Sequence, residues 1–246
     1  RPAIGEEQLA GWGFQILPYL EQTSIFAIPN GYTGNMPRDE VLKHIGNLVV
    51  PMYICPSRRG VARLDGVLTD YAACHPADKP QPVPQRGVPR NGSALDQFWY
   101  GSLLSSDPPP RHRGVYHGII VRSRFTDPVT PAHVTDGLSN TFLIGEKWLN
   151  VSRYEAGDWH DNLGWTDGWD PDTTRSTGYT PRNDALVPIR GERGYDDTLP
   201  YSFGGAHPGR MNVLMGDGSV QGTLLSIDRD VLNYLGDRRD GEAVNL

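Results

Sequence analysis

Residues 157 to 174 read GDWHDNLGWTDGWDPDTT, the densest gathering of chemically capable side chains in the sequence. Asp158, Asp161, Asp167, Asp170 and Asp172 alternate there with Trp159, Trp165 and Trp169, and Trp148 lies just upstream. Clustered aspartates on a loop, together with main-chain carbonyls, are the hard oxygen ligands that Ca²⁺ takes. Asp167, Asp170 and Asp172 are therefore candidate calcium ligands, although their spacing is not that of an EF-hand. Tryptophan faces beside polar groups suit stacking on the apolar face of a sugar ring. Trp159, Trp165 and Trp169 are on that ground candidate ligand-binding residues, for a glycan or another solute. The structural alternative is that the tryptophans plug a core beneath a long loop and the aspartates form turns.

A second stretch, FGGAHPGRMNVLMGDGSV at 203–220, contains His207 and Asp217. A strand over 211–215 spans roughly 16 Å at ~3.3 Å per residue, which sets the two side chains at opposite ends of it. Asp217-Gly218 is a hairpin turn signal, with Gly218 supplying the positive φ. His207, Asp217 and Gly218 are accordingly read as structural, with His207 bonded to a loop or to a residue that the sequence does not identify.

Cys55 and Cys74 lack the paired spacing of a zinc site. YICPS offers no basic or helix-start setting to activate a thiol. A Cys55–Cys74 disulfide closing a loop of roughly 20 residues is expected, contributing on the order of 3 kcal/mol, with two buried free thiols as the alternative. GLSNT lacks the second glycine of a nucleophile elbow, and phosphate-loop and dinucleotide motifs are absent. Glu146 is a lone acid at a strand end, where structural pairing is the ordinary role. No catalytic residue is assigned, and the chain reads as non-enzymatic.

These candidates need elements to hold them. Trp12, Phe14, Leu17 and Leu20 suggest a short amphipathic helix or helical turn interrupted at Pro18. Pro37 opens a better helix, in which Val41, Leu42 and Ile45 share a face and Gly46 is the stop. PMYIC, TDYAAC, TFLIGEKWL and the β-rich GVYHGIIV read as strands, and MNVLM and VQGTLL flank the Asp217-Gly218 turn. A final helix has Asp228 as its N-cap, Val231, Leu232 and Leu235 as its stripe, and Gly236 after its end. HPADKPQPVPQRGVPR and SSDPPPRHRG are proline-rich surface excursions. Residues 150–202 show little apolar periodicity. Strands and helices mix without βαβ alternation, so the expected class is α+β: an antiparallel sheet with short flanking helices and long irregular Pro/Gly-rich insertions, in one domain over 1–246.

With 246 residues the chain can bury a sizeable core, and 29 Gly with 21 Pro points to many turns rather than a helical bundle. The net charge of −6 and the lack of a Lys/Arg stripe argue against a nucleic-acid surface. The short basic stretches PSRRGVAR and PPPRHRG read as solvated loops. No run approaches the ~18 apolar residues of a membrane span.

GWGFQILPYLEQTSIF, YICPSRR, TDYAAC, VTDGLSNTFLIGEKW and FGGAHPGRMNVLMGDGSV, in that order, resemble the motifs of the planctomycete prepilin-like family of unknown function. Its domain is sometimes labelled a bacterial solute-binding protein. The last stretch fits the family signature of a His, nine residues and Asp-Gly, here His207, Asp217 and Gly218. The resemblance implies an N-terminal prepilin helix, which this chain lacks, and a globular head like those of type IV pilins and type II secretion pseudopilins. It implies an extracytoplasmic setting in the cell envelope, membrane attachment only through that helix, and partners among pilin-like subunits or secretion-system components. Such a compartment agrees with the disulfide. Major pseudopilin heads can hold Ca²⁺ in a C-terminal loop, which raises the expectation of calcium without assigning particular aspartates. The function implied is assembly or adhesion, with solute or carbohydrate binding as the alternative.

Overall fold

Alternation along Arg210–Met215 buries Met211, Val213 and Met215 on one face and leaves Arg210 and Asn212 exposed. Such a strand must lie against a core on one side only. The computed structural model describes residues 10–31, 38–77, 98–99, 116–123, 126–242 and 244. Its strands are β1 (Tyr71–His75), β2 (Phe142–Glu146), β3 (Thr174–Ser176), β4 (Arg182–Asn183), β5 (Gly204–Gly205), β6 (Arg210–Met215) and β7 (Val220–Leu224). Five of them form one sheet in the order β3-β1-β2-β6-β7, and β4 pairs with β5 separately. Its helices include α1 (Trp12–Gln15), α2 (Thr23–Gly31), α3 (Arg38–Gly46) and α4 (Arg229–Gly236).

The class is α+β, as expected, but the sheet is mixed. β1 pairs antiparallel with β2 and parallel with β3. β6 and β7 form the expected hairpin, with Gly218 at φ 90° in its turn. Asp228 caps α4 by accepting from the main-chain N–H groups of Asp230 and Val231. Leu232 and Leu235 then pack on Phe142, Met211, Val213 and Met215 of the sheet. Gly236 is the last residue of α4, not a left-handed residue beyond it. A Cβ there would lie 2.5 Å from Thr177 Oγ1, so the glycine permits close approach of helix and loop.

Other expectations are revised. Pro51–Tyr53 is a single 3₁₀ turn in place of a strand. The described part of GVYHGIIV, from residue 116 on, contains no strand. Residues 78–90 of the first proline-rich excursion and the whole of SSDPPPRHRG, which contains PPPRHRG, lie outside the described residues. Arg58 and Arg59 are buried rather than solvated, in ion pairs with Asp184, Asp70 and Asp161. Among the described residues no helix is long and apolar enough to cross a membrane.

A second core positions the acidic stretch. Phe14, Leu17, Ile45, Val50, Tyr53 and Val67 enclose Trp165. A Cβ on Gly13 would sit 2.6 Å from Trp165 O, and one on Gly46 would sit 2.6 Å from Thr166 Oγ1. The N-terminal helices thus close directly onto the 3₁₀ turn Gly164–Thr166, from which the aspartate loop departs.

Candidate functional site

Asp167, Asp170 and Asp172 are brought together, each offering a carboxylate oxygen within 4.8 Å of the others. In each, one oxygen is fixed by the main chain. Asp167 Oδ1 accepts from Gly168 N at 2.8 Å, and Asp170 Oδ1 accepts from Asp172 N at 3.1 Å. Asp172 Oδ1 accepts from three successive N–H groups, those of Asn162, Leu163 and Gly164, at 2.8–2.9 Å. Gly164 can present its N–H there because it holds φ 79°, and a Cβ on it would lie 2.1 Å from Val67 O.

The remaining oxygens of Asp167 and Asp172 are buried with no hydrogen-bond partner. Burial raises all three carboxyls: Asp167 and Asp170 to about 6, and Asp172 to about 7. Mutual repulsion adds to this, Asp172 acting on Asp167 and Asp170 on Asp172. The loop is braced by Thr173, whose hydroxyl donates to Gly168 O at 2.6 Å and whose carbonyl accepts from Trp12 Nε1 at 2.7 Å. On its outer side, a cleft of about 460 Å³ lined by Lys43, Asp65, Leu163 and Asp167 runs along α3. Preformed, half-buried and anionic, the cradle has the donor set of a hard-cation site.

The tryptophans do not make a common stacking platform. Trp165 is 1% exposed in the N-terminal core, and its Nε1 donates to Leu48 O, so the expectation of a ligand contact there is corrected. Trp169 donates to Phe98 O and meets Tyr116 edge-on at 4.8 Å. Trp159 donates to the Tyr195 hydroxyl and carries the Arg190 guanidinium 5.2 Å over its ring. The plug reading holds for Trp165, and protein groups already occupy much of the other two.

The expected disulfide is also absent. Cys55 and Cys74 are both free and buried. Cys74 packs in the core beneath α4, where a Cβ on Gly236 would lie 3.1 Å from its sulfur. Cys55 instead directs its sulfur to the end of β2, 3.4 Å from Glu146 Oε1 and 4.0 Å from His207 Nε2. The two thiols are committed to different neighbourhoods, and burial raises the pKa of each.

His207 Nε2 also lies 3.2 Å from Glu146 Oε1, while Asp217 accepts from Ser219 in the exposed hairpin turn. The two residues of the signature are therefore separately engaged, and the partners of His207 are Glu146 and Cys55. Sequence reasoning considered each of these residues alone. Their common signal was that each falls in one of the stretches carrying the family resemblance.

One family model, SBP_bac_10, described as Protein of unknown function (DUF1559), matches residues 2–230. This agrees with the unknown-function family and the solute-binding label implied by the motifs. No curated protein and no solved structure matches the chain.

Proposed function

The chain belongs to the DUF1559 family, and from that premise we propose that it is a non-enzymatic, extracytoplasmic head domain, acting in assembly or adhesion, whose Asp167–Asp172 loop is held by Ca²⁺. The observation that carries the calcium reading is the pair of buried, unpartnered carboxylate oxygens on Asp167 and Asp172, with Asp170 beside them. A buried carboxylate oxygen without a partner costs stability. A cation supplies the missing partner to Asp167 and Asp172 and offsets the charge of all three carboxylates at once. Calcium suits the set because it accepts irregular oxygen coordination completed by carbonyls and water, whereas Mg²⁺ demands near-octahedral geometry. The ion would contribute structural charge neutralisation, tying the loop to the 162–164 turn through Asp172.

An extracytoplasmic setting fits a site of this kind, since extracellular modules bind calcium at about 10⁻⁴–10⁻³ M. Assembly is supported by β7, which ends the order of the described sheet and exposes 68% of Val220 and 50% of Leu224. An exposed strand edge of that kind accepts a further strand or subunit. The pilin-like partners remain those implied by the sequence motifs.

Isothermal titration with CaCl₂ tests the ion. One site in the range of about 10⁻⁴–10⁻³ M is expected, abolished in Asp167→Asn/Asp170→Asn, with MgCl₂ binding more weakly. Absence of calcium heat in the wild-type chain would refute the reading.

A further inference from the structure

We propose that Cys55, Glu146 and His207 form a second metal site, for a borderline-soft divalent ion of the zinc class, with its fourth position completed by water. It is independent of the calcium loop and shares no ligand with it. The three donor atoms define a triangle with edges of 3.2 Å (Nε2 to Oε1), 3.4 Å (Sγ to Oε1) and 4.0 Å (Sγ to Nε2). A tetrahedral zinc ion with bonds of about 2.3 Å to sulfur and about 2.0–2.1 Å to nitrogen and oxygen requires edges of about 3.3–3.6 Å. The observed triangle approximates one face of a zinc tetrahedron, with the nitrogen–oxygen edge marginally short and the sulfur–nitrogen edge about 0.4 Å long, so that a small approach of His207 completes it.

The same geometry argues against a Cys-His-acid catalytic triad. A triad places the nucleophile on one ring nitrogen and the acid on the other. Here sulfur and carboxylate approach the same nitrogen, Nε2, so the imidazole cannot relay between them. Three ligand types converging on one point is the pattern of ligation.

Without metal, Glu146 Oε1 can accept from both the thiol and the imidazole N–H. When Zn²⁺ binds, the Cys55 thiol loses its proton to solvent, and His207 gives up the Nε2 proton that faced Glu146 and takes one on Nδ1 from solvent, so that it ligates through Nε2 as the neutral Nδ1–H tautomer. Thiolate and carboxylate together supply two negative charges, which the dication neutralises, so no net charge is left at a site where Glu146 is fully buried. The outer contacts are already in place. Glu146 Oε2 accepts from Asn212 N at 2.6 Å, which orients Oε1 towards the site, and Cys55 N donates to Asp70 Oδ2 at 2.6 Å. A Cβ on Gly205 would lie 3.3 Å from Glu146 Oε2, so glycine preserves the space around the carboxylate. The His207 side chain is 33% exposed and provides the route of entry.

Titration of the reduced full chain with Co²⁺ tests the proposal. The expected result is one ion per chain, with a thiolate-to-cobalt charge-transfer band and the strong visible bands of a tetrahedral ion, all displaced by Zn²⁺. Cys55→Ser should lose the charge-transfer band, and His207→Ala should bind at least about tenfold more weakly. Cys74→Ser and Asp167→Asn should leave the spectrum unchanged. Circular dichroism confirms that each variant is folded; part-exposed His207 is the substitution that least disturbs the core. The proposal is overturned if the folded wild-type chain gives no charge-transfer band. It is equally overturned if the band survives in Cys55→Ser or disappears in Cys74→Ser.

Discussion

Asp161→Ala is expected to lower the unfolding free energy by about 3–5 kcal/mol, the usual cost of breaking a buried ion pair from one side. Asp161 is 1% exposed. Its Oδ2 takes Arg59 Nη1 at 2.6 Å, and its Oδ1 takes Arg59 Nη2 at 3.2 Å and Lys147 Nζ at 2.8 Å. Lys147 itself is fully buried, and its other hydrogen bond goes to Asp172 O at 2.9 Å. Removing the carboxylate strands Lys147 away from water, leaves Arg59 with Asp70 as its ion-pair partner, and slackens the tie between β2 and the aspartate loop. Burial alone would raise the Asp161 pKa, but Lys147 and Arg59 outweigh it and hold the carboxyl well below the ordinary range. Its contribution to stability is therefore complete above the unfolded value near 3.8 and is lost as pH falls below it. Urea denaturation at pH 7 measures the effect as a lower midpoint at unchanged slope. A loss under about 1 kcal/mol would mean that water or rearrangement replaces the pair.

The aspartate loop predicts the opposite pH slope. In chelator, Asp167, Asp170 and Asp172 bind protons up to about pH 6–7 in the folded state, against an ordinary value of 3.8. The folded chain then holds more protons than the unfolded one, so these groups lower stability as pH rises from about 4 to about 7. Calcium competes with those protons and should reverse the loss. At about one hundred times Kd the gain is about 2.7 kcal/mol, a rise in melting temperature of about 5–10 °C for a chain of this size. The calcium-induced shift at pH 7.5 should exceed that at pH 5, because protonated carboxyls do not bind the ion. Comparing melts with and without calcium at each pH cancels the titration of every other group. A shift that is absent, or larger at pH 5, would contradict the assignment.

What was legible from sequence was whatever depends on neighbours along the chain. Asp228 and the Val231–Leu232–Leu235 stripe located α4, and Asp217-Gly218 located the hairpin, because capping and turn chemistry are local. The clustering of the three aspartates was visible for the same reason, their carboxylates lying within six residues. Tertiary context decided the rest. Trp165 resembles its neighbours in sequence, yet α1 and α3 close over it and make it core. The parallel pairing of β1 with β3 joins segments about a hundred residues apart, across a region with little periodicity. Cys55, Glu146 and His207 were each set aside as ordinary because no local rule joins residues separated by 91 and 61 positions.

The decisive measurement is a crystal structure of the chain grown in calcium chloride. The expected result is one ion bound by an oxygen from each of Asp167, Asp170 and Asp172 at about 2.3–2.6 Å, including the Oδ2 atoms of Asp167 and Asp172 that lack a hydrogen-bond partner. Density without an ion between these carboxylates, at calcium well above the concentration that saturates extracellular modules, would contradict the account.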